Sequence, residues 1–242
     1  MPTPSPAPAP LNLPIPIRVI SSMATKPLLT DLARLFMAQA PQFEVQLESV
    51  GGVDAAKRVQ AGEAFDCVVL ASNAIDSLQT EGLLLKGSRT DLVHSGVAVA
   101  VPADASTPDI STEQALRQAV LAAASLGIST GPSGVQLAKL FEHWGIAEQI
   151  KDRIVQAKPG VPVGALLAQG QVALGFQQLS EMMGVAGITV LGPLPDAVQI
   201  TTTFSGSVAI TSARPEGVRK MLAFWASAAC IPTKLQHGME AA

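Results

Sequence analysis

The sequence contains no tyrosine, and its only aromatic residues are seven phenylalanines and two tryptophans. A nucleic-acid surface needs clustered Lys and Arg, with rings on which bases stack. Here 16 basic and 19 acidic residues are spread along the chain with a net charge of −3 and no basic run, which excludes nucleic acid as a partner. Cysteine is scarce too. Cys67 and Cys230 lie far apart, each in an apolar run, and read as buried free thiols rather than a zinc site or redox pair. The three histidines, His94, His143 and His237, lack metal-ligand spacing, so no metal is expected. There is no Walker motif and no G-x-G-x-x-G, and Gly131-Pro132-Ser133-Gly134 is not the G-x-S-x-G of a nucleophile elbow. No cofactor is expected. The longest mostly apolar stretch, Ala119 to Ile128, is far short of the roughly 20 residues that cross a bilayer.

What is present is a large store of small apolar residues. Of 242 residues, 48% are hydrophobic, enough to build α/β cores without disulfides. Mean hydropathy is +0.35, owed to alanine and valine. Met1 to Pro16 alternates proline with small residues, without the basic start and apolar run of a secretory signal. It reads as a disordered, extended arm, and the chain as written reads as cytoplasmic, or periplasmic if a native signal has been removed. A monomer is expected.

From Ile17 onward the pattern alternates. Ile17–Ser21 reads as a strand, and Pro27–Ala40 as a helix with Leu28, Leu32, Leu35 and Phe36 on one face. A strand at Phe43–Val50 leads to a helix opening at Gly51-Gly52. Phe65–Leu70 is a continuous apolar run, as a strand buried on both faces should be, and a helix over Asn73–Glu81 stops at Gly82. Repeated strand-then-helix order implies right-handed βαβ units and parallel sheets. After a strand at Gly96–Val101 the pattern restarts: a helix at Thr112–Ala124, a strand at Leu126–Thr130 and a helix at Ser133–Trp144. A helix at Val161–Gln169, a strand at Val172–Phe176 and a helix from Leu179 complete this second set. Gln199–Thr211 is extended, and Glu216–Ala229 is a last helix. The expected organisation is therefore two lobes, one of residues 17–95 and 205–242, the other of 96–204, joined by a two-stranded hinge.

In open α/β sheets a ligand sits beyond the carboxyl ends of the strands, where helices begin with unpaired N–H groups and a partial positive charge. Four such turns carry hydroxyls, amides or glycines. The first holds Ser21, Ser22, Thr25 and Lys26; the second, Gly51 and Gly52; the third, Thr130, Ser133 and Gly134; the fourth, Gln177, Gln178 and Glu181. Each also has a plainer reading, as an ordinary cap or turn. His94, just ahead of the crossing strand, is placed to reach the cleft. Lys26, His94 and Glu181 are the ionisable candidates for proton transfer.

At these turns the sequence resembles the bacterial molybdate-binding proteins of ABC transporters, over Ile17 to Met239. The resemblance is carried by Val19-Ile20-Ser21-Ser22, by Val59 to Asp66, by Pro132-Ser133-Gly134 and by Leu167–Gly175 with its A-x-G-x-x-x-L-G character. Pro108-Asp109-Ile110-Ser111-Thr112, Gln178-Leu179-Ser180-Glu181 and Gly192-Pro193-Leu194-Pro195 mark the closer match to a substrate-binding branch that is similar to aconitate isomerase. The resemblance implies an α/β, two-lobed type II periplasmic-binding-protein fold, each lobe a mostly parallel sheet flanked by helices. Ala24 stands where the molybdate binders use a serine, and Gly51, Gly52 and Val53 occupy the region of a second. Gln177 and Gln178 occupy the region of their tyrosine ligand. The expected function is thus binding of a small anion, an organic carboxylate rather than molybdate, in the interlobe cleft. The protein would serve as an ABC-transporter-type substrate-binding protein or a cytoplasmic derivative of one. The alternative is a cofactor-independent isomerase that shifts a double bond in a small polycarboxylate.

Overall fold

The computed structural model describes residues 13–158 and 160–242. The expected arm lies outside the described residues as far as position 12. Its last two residues already belong to strand β1, Ile15–Ser22. Pro16 is tolerated because β1 at that end pairs only with its neighbour on one side, so the missing N–H interrupts no inner ladder.

Helix α1, Lys26–Gln39, follows through one 3-10 turn at Met23–Thr25. Strand β2 is Phe43–Val50, helix α2 Gly52–Gln60, strand β3 Cys67–Ala71 and helix α3 Ser72–Thr80. β1 runs parallel to both β2 and β3, in register Ile15↔Phe43 and Val19↔Cys67. Every residue of β3 is buried, because both faces of this sheet are covered. Cys67, Val69 and Ala71 face a cluster with Leu28, Leu32, Phe36 and Trp225, while Val68 and Leu70 face Ile20, Ile75 and Leu78. That two-sided burial is why the strand lacks a polar alternation.

Strand β4, Thr90–Pro102, is the longest in the chain and joins the two lobes. In chain order there follow helix α4 at Glu113–Ala122, strand β5 at Leu126–Ile128 and helix α5 at Pro132–His143. Helix α6 is Ala147–Ile150, strand β6 Ile154–Gln156 and helix α7 Val163–Ala168. Strand β7 is Leu174–Gln178, helix α8 Leu179–Met182 and strand β8 Ile188–Pro193. Strand β9 is Thr201–Val208, helix α9 Pro215–Ala226, helix α10 Ile231–Gln236 and strand β10 Met239–Ala241.

The strands follow the order β2-β1-β3-β9-β4-β7-β5-β6, with β8 and β10 also on β4. β4 changes partners midway. Thr90 to Gly96 pair with β9, and Val97 onward pair with β7 and β8. All of β9 pairs within the first lobe, on β3 and the first half of β4, so the chain returns at Ile200/Thr201. That is four residues earlier than the extended pattern suggests. The expected strand at Gly96–Val101 is only the second half of β4; its first half carries Asp91, His94 and Ser95 and shows no apolar run. The helix from Leu179 is a single turn. Cys67 and Cys230 are buried and free, and burial pushes both thiols up, which leaves them unreactive. Among the described residues no helix is long and apolar enough to cross a membrane.

Candidate functional site

Between the lobes lies a cavity of about 680 Å³, bounded by the turns that follow β1, β2 and β3 on one side and β5, β6 and β7 on the other. Each turn ends in a helix whose first N–H groups have no partner within the helix. Among the described residues none of these helix starts is capped by the side chain of its own N-cap residue, and only α7 has its first N–H taken by another side chain, that of Gln177. Away from the cavity α4 has an ordinary cap, the Thr112 hydroxyl accepting from Ala115 N–H at 3.1 Å. The Ser/Thr-cap reading of the first and third turns therefore does not hold.

On the first-lobe wall, Ser22, Met23 and Ala24 line the cavity. Ser21 lies beneath them, its Oγ 2.7 Å from Ser49 Oγ, and Thr25 Oγ1 donates to the Ser22 carbonyl at 3.1 Å. Both shape the turn, and neither lines the cavity. Lys26 is exposed and also outside the lining, because it opens α1 on the outer surface. Gly51 and Gly52 do line it, and with them come Asp54 and Lys57 from the first turns of α2. The start of α3 adds Ala71 and Asn73.

On the second-lobe wall, Thr130 and Ser133 line the cavity, and Ser133 Oγ lies 3.1 Å from Ser129 Oγ. Gly134 does not line it, but a Cβ there would fall 1.9 Å from the Ser129 carbonyl oxygen. Only glycine lets α5 pack this tightly over the end of β5. The loop before α7 contributes Lys158, Gly160 and Val161. Gln177, Gln178 and Glu181 complete the wall. Gln177 Oε1 accepts from Val163 N–H at 2.7 Å, which fixes its amide, and the same side chain hydrogen-bonds Glu181. The Gln178 amide is satisfied at both ends when its oxygen accepts from Thr202 Oγ1 at 2.9 Å and its nitrogen donates to Ser95 Oγ at 2.8 Å. It thereby ties the cavity to both hinge strands, β4 and β9.

The two lobes also meet beside the cavity. Ser180 Oγ donates to the Ala24 carbonyl at 3.0 Å, a buried bond between lobes. A Cβ at Gly51 would lie 3.8 Å from Gly160 N, so the two turns face each other across the cleft. The charged groups lining the cavity are Lys57, Lys158, Asp54 and Glu181. Burial pushes the Glu181 carboxyl up to about 7, against the opposing hydrogen bond from Gln177. His94 does not reach the cavity; its Nδ1 is 3.0 Å from Thr203 Oγ1 within the first-lobe sheet. Of the three proton-transfer candidates, only Glu181 is therefore at the cavity. Sequence reasoning missed Lys57, Lys158, Asp54 and Asn73. The turn after β3 was visible as a strand-to-helix boundary, but the three-residue β6 that leads to Lys158 was not. Among the described residues no group of three or more His, Cys, Asp or Glu could hold a metal ion.

The family described as bacterial extracellular solute-binding protein matches residues 17–240, and the chain belongs to it. Aconitate isomerase from a Pseudomonas species is 39% identical over 173 residues, covering 70% of this chain and 65% of that protein. This chain thus spans slightly less than two thirds of that relative's length. Among solved structures, the periplasmic molybdate-binding protein of Azotobacter vinelandii superposes with a TM-score of 0.77 at 18% identity, over 92% of this chain and 98% of that one. The sulfate-binding protein SubI of Mycobacterium tuberculosis gives 0.75 at 16% identity, over 93% and 86%. At such identities the likeness is one of fold, and it is the two-lobed periplasmic-binding-protein fold.

Proposed function

We propose that this member of the extracellular solute-binding family holds a small organic polycarboxylate in its interlobe cavity. The observation that carries the reading is the convergence of six strand-to-helix turns, with Lys57 and Lys158, on one space. Unpaired N–H groups at helix starts favour anions, and here they come from both lobes. The size argues for a carbon skeleton, since about 680 Å³ falls within the range of roughly 300–1,000 Å³ for small-molecule pockets. Met23, Val53, Leu70, Val161 and Phe204 offer that skeleton apolar contacts. The small oxyanion of the molybdate binders would leave most of this space unfilled. Ala24 also lacks the hydroxyl that would donate to it, and no tyrosine is available. The family's extracellular character favours the periplasm over the cytoplasm, and an ABC transporter as the partner that receives the closed form.

Calorimetry with citrate, trans-aconitate and molybdate tests this reading. A tricarboxylate should bind near micromolar affinity, about −8.2 kcal/mol. At a thousandfold excess over Kd it should stabilise the fold by about 4 kcal/mol, a rise of roughly ten degrees in Tm. Tight molybdate binding with no response to any organic acid would reverse the assignment.

A second reading is isomerisation on the same site, favoured by the aconitate isomerase relative and by Glu181. Shifting a double bond between carboxylate-bearing carbons requires a proton to leave one carbon and another to arrive two carbons away. A carboxyl that titrates near neutrality is suited to both steps. Incubation with trans-aconitate, followed by NMR for the cis isomer, distinguishes the readings; binding without conversion leaves the receptor alone.

A further inference from the structure

Glu181 poses an electrostatic problem for an anion site. Its carboxyl lines the cavity and is half-buried, and its hydrogen-bond partner is the neutral amide of Gln177. The elements packed against α8 are the 3-10 turn at Met23–Thr25, β4, α7, β7 and β8. Among them only β4 carries titratable residues, Asp91 and His94. Asp91 is engaged by Arg89 at 2.8 Å and Ser205 at 2.6 Å, and His94 lies against Thr203. Lys26, next to the 3-10 turn, is exposed. Elsewhere in the cavity, Asp54 and Lys57 share α2 and Lys158 stands on the facing loop. Among the described residues no charged group perturbs the Glu181 carboxyl. An ionised Glu181 would therefore repel a bound carboxylate from a desolvated wall, whereas an acid Glu181 has one O–H to give it.

We propose that Glu181 enters the complex as the acid and donates a hydrogen bond to a ligand carboxylate, so that this site takes up its anion together with one proton. The proposal rests on the carboxylate reading of the cavity and adds a selection rule to it. A ligand presenting a carboxylate to Glu181 draws a proton in; one presenting an ammonium would drive a proton out. The direction of linkage follows from which form holds the ligand. The acid form binds, so affinity is flat at pH values where free Glu181 is already protonated. As pH rises past its titration, affinity falls, approaching about tenfold per pH unit while the bound carboxyl stays protonated.

The test is calorimetry of trans-aconitate binding at about pH 8 in two buffers of different ionisation enthalpy, where the ligand itself is fully ionised. The wild-type chain should take up close to one proton, and Glu181→Gln none. The variant keeps an N–H donor at that position, so it should bind with little pH dependence and melt as the wild type does. A 13C-carboxyl NMR titration of the ligand-free protein gives a readout that needs no variant. Glu181 should titrate well above the ordinary glutamate value of about 4.3. Binding without proton uptake, uptake that persists in Glu181→Gln, or an ordinary Glu181 titration would each overturn the role of Glu181 while leaving the carboxylate reading standing. If no polycarboxylate binds at all, the carboxylate reading falls and takes this proposal with it.

Discussion

In the second lobe a Cβ on Gly134 would lie 1.9 Å from the Ser129 carbonyl oxygen, whereas in the first a Cβ on Gly52 would meet nothing nearer than Ser22 Cβ at 3.6 Å. Both glycines open a helix beside the cavity, yet one is required by packing and the other leaves space. The same contrast extends along the walls. At its helix starts the first lobe presents backbone and small side chains, Ala24, Gly51, Gly52 and Ala71, beside larger ones such as Met23 and Lys57. The second presents Ser133, Gln177 and Gln178, all buried and each already hydrogen-bonded to its own lobe or to the hinge. A wall built from anchored side chains is preorganised and easily broken. A wall built from backbone tolerates change.

The largest effect should come from Gly134→Ala. The added methyl meets backbone that cannot swing aside, and forced overpacking of this kind costs about 3 kcal/mol or more, some 6–12 °C of Tm. Gly52→Ala, by contrast, should leave Tm almost unchanged and weaken binding only by filling cavity space. Equal melting temperatures for the two variants would break the comparison. Gln177→Leu comes next. It strands the buried Val163 N–H, at about 2 kcal/mol of stability. It also removes the hydrogen bond that holds the Glu181 carboxyl down, so Glu181 should titrate still higher, by NMR. Ser22→Ala, on the backbone-built wall, should leave stability nearly unaltered, because Ser22 Oγ lies 3.4 Å from its nearest hydroxyl partner, Thr25 Oγ1.

The asymmetry also explains what could be read from sequence. Strong periodicity made α1, α5 and α9 legible, and the unbroken apolar run made β3 so. β6 has three residues, and every residue of β8 from Ile188 to Gly192 is only half-buried, so neither has a clear burial pattern to announce it. At the site, Ser22, Gly51, Gly52, Thr130, Ser133, Gln177, Gln178 and Glu181 could be found because strand-to-helix turns are local features. The lysines could not. Which face of a helix meets the other lobe is decided by packing between elements distant in sequence, and the closeness of Lys26 to a turn does not bring it to the cavity. The interlobe bond from Ser180 to Ala24 was equally invisible, as it spans 156 positions. Ser180→Ala should remove it at about 1 kcal/mol, seen as roughly fivefold weaker ligand binding through a less stable closed form.

The smallest expected effect separates two lysines of the first lobe, Lys26 and Lys57. Lys26 is the first residue of α1, while Lys57 is the sixth of α2, and only Lys57 lines the cavity. Side chains on a helix lean toward its N-terminus, so a long one more than a turn along can reach back to the rim of the N-terminal site. One at the first position has no helix behind it to lean over. Lys57 is nonetheless solvent-exposed, and its attraction for the ligand is screened by water and salt. Lys57→Met should weaken binding a few-fold at low ionic strength, with the difference vanishing at high salt. Lys26→Met should change neither affinity nor its salt dependence. Equal losses from the two substitutions would show that the first lobe acts through its overall charge, and that the position of Lys57 on the cavity wall carries no special weight.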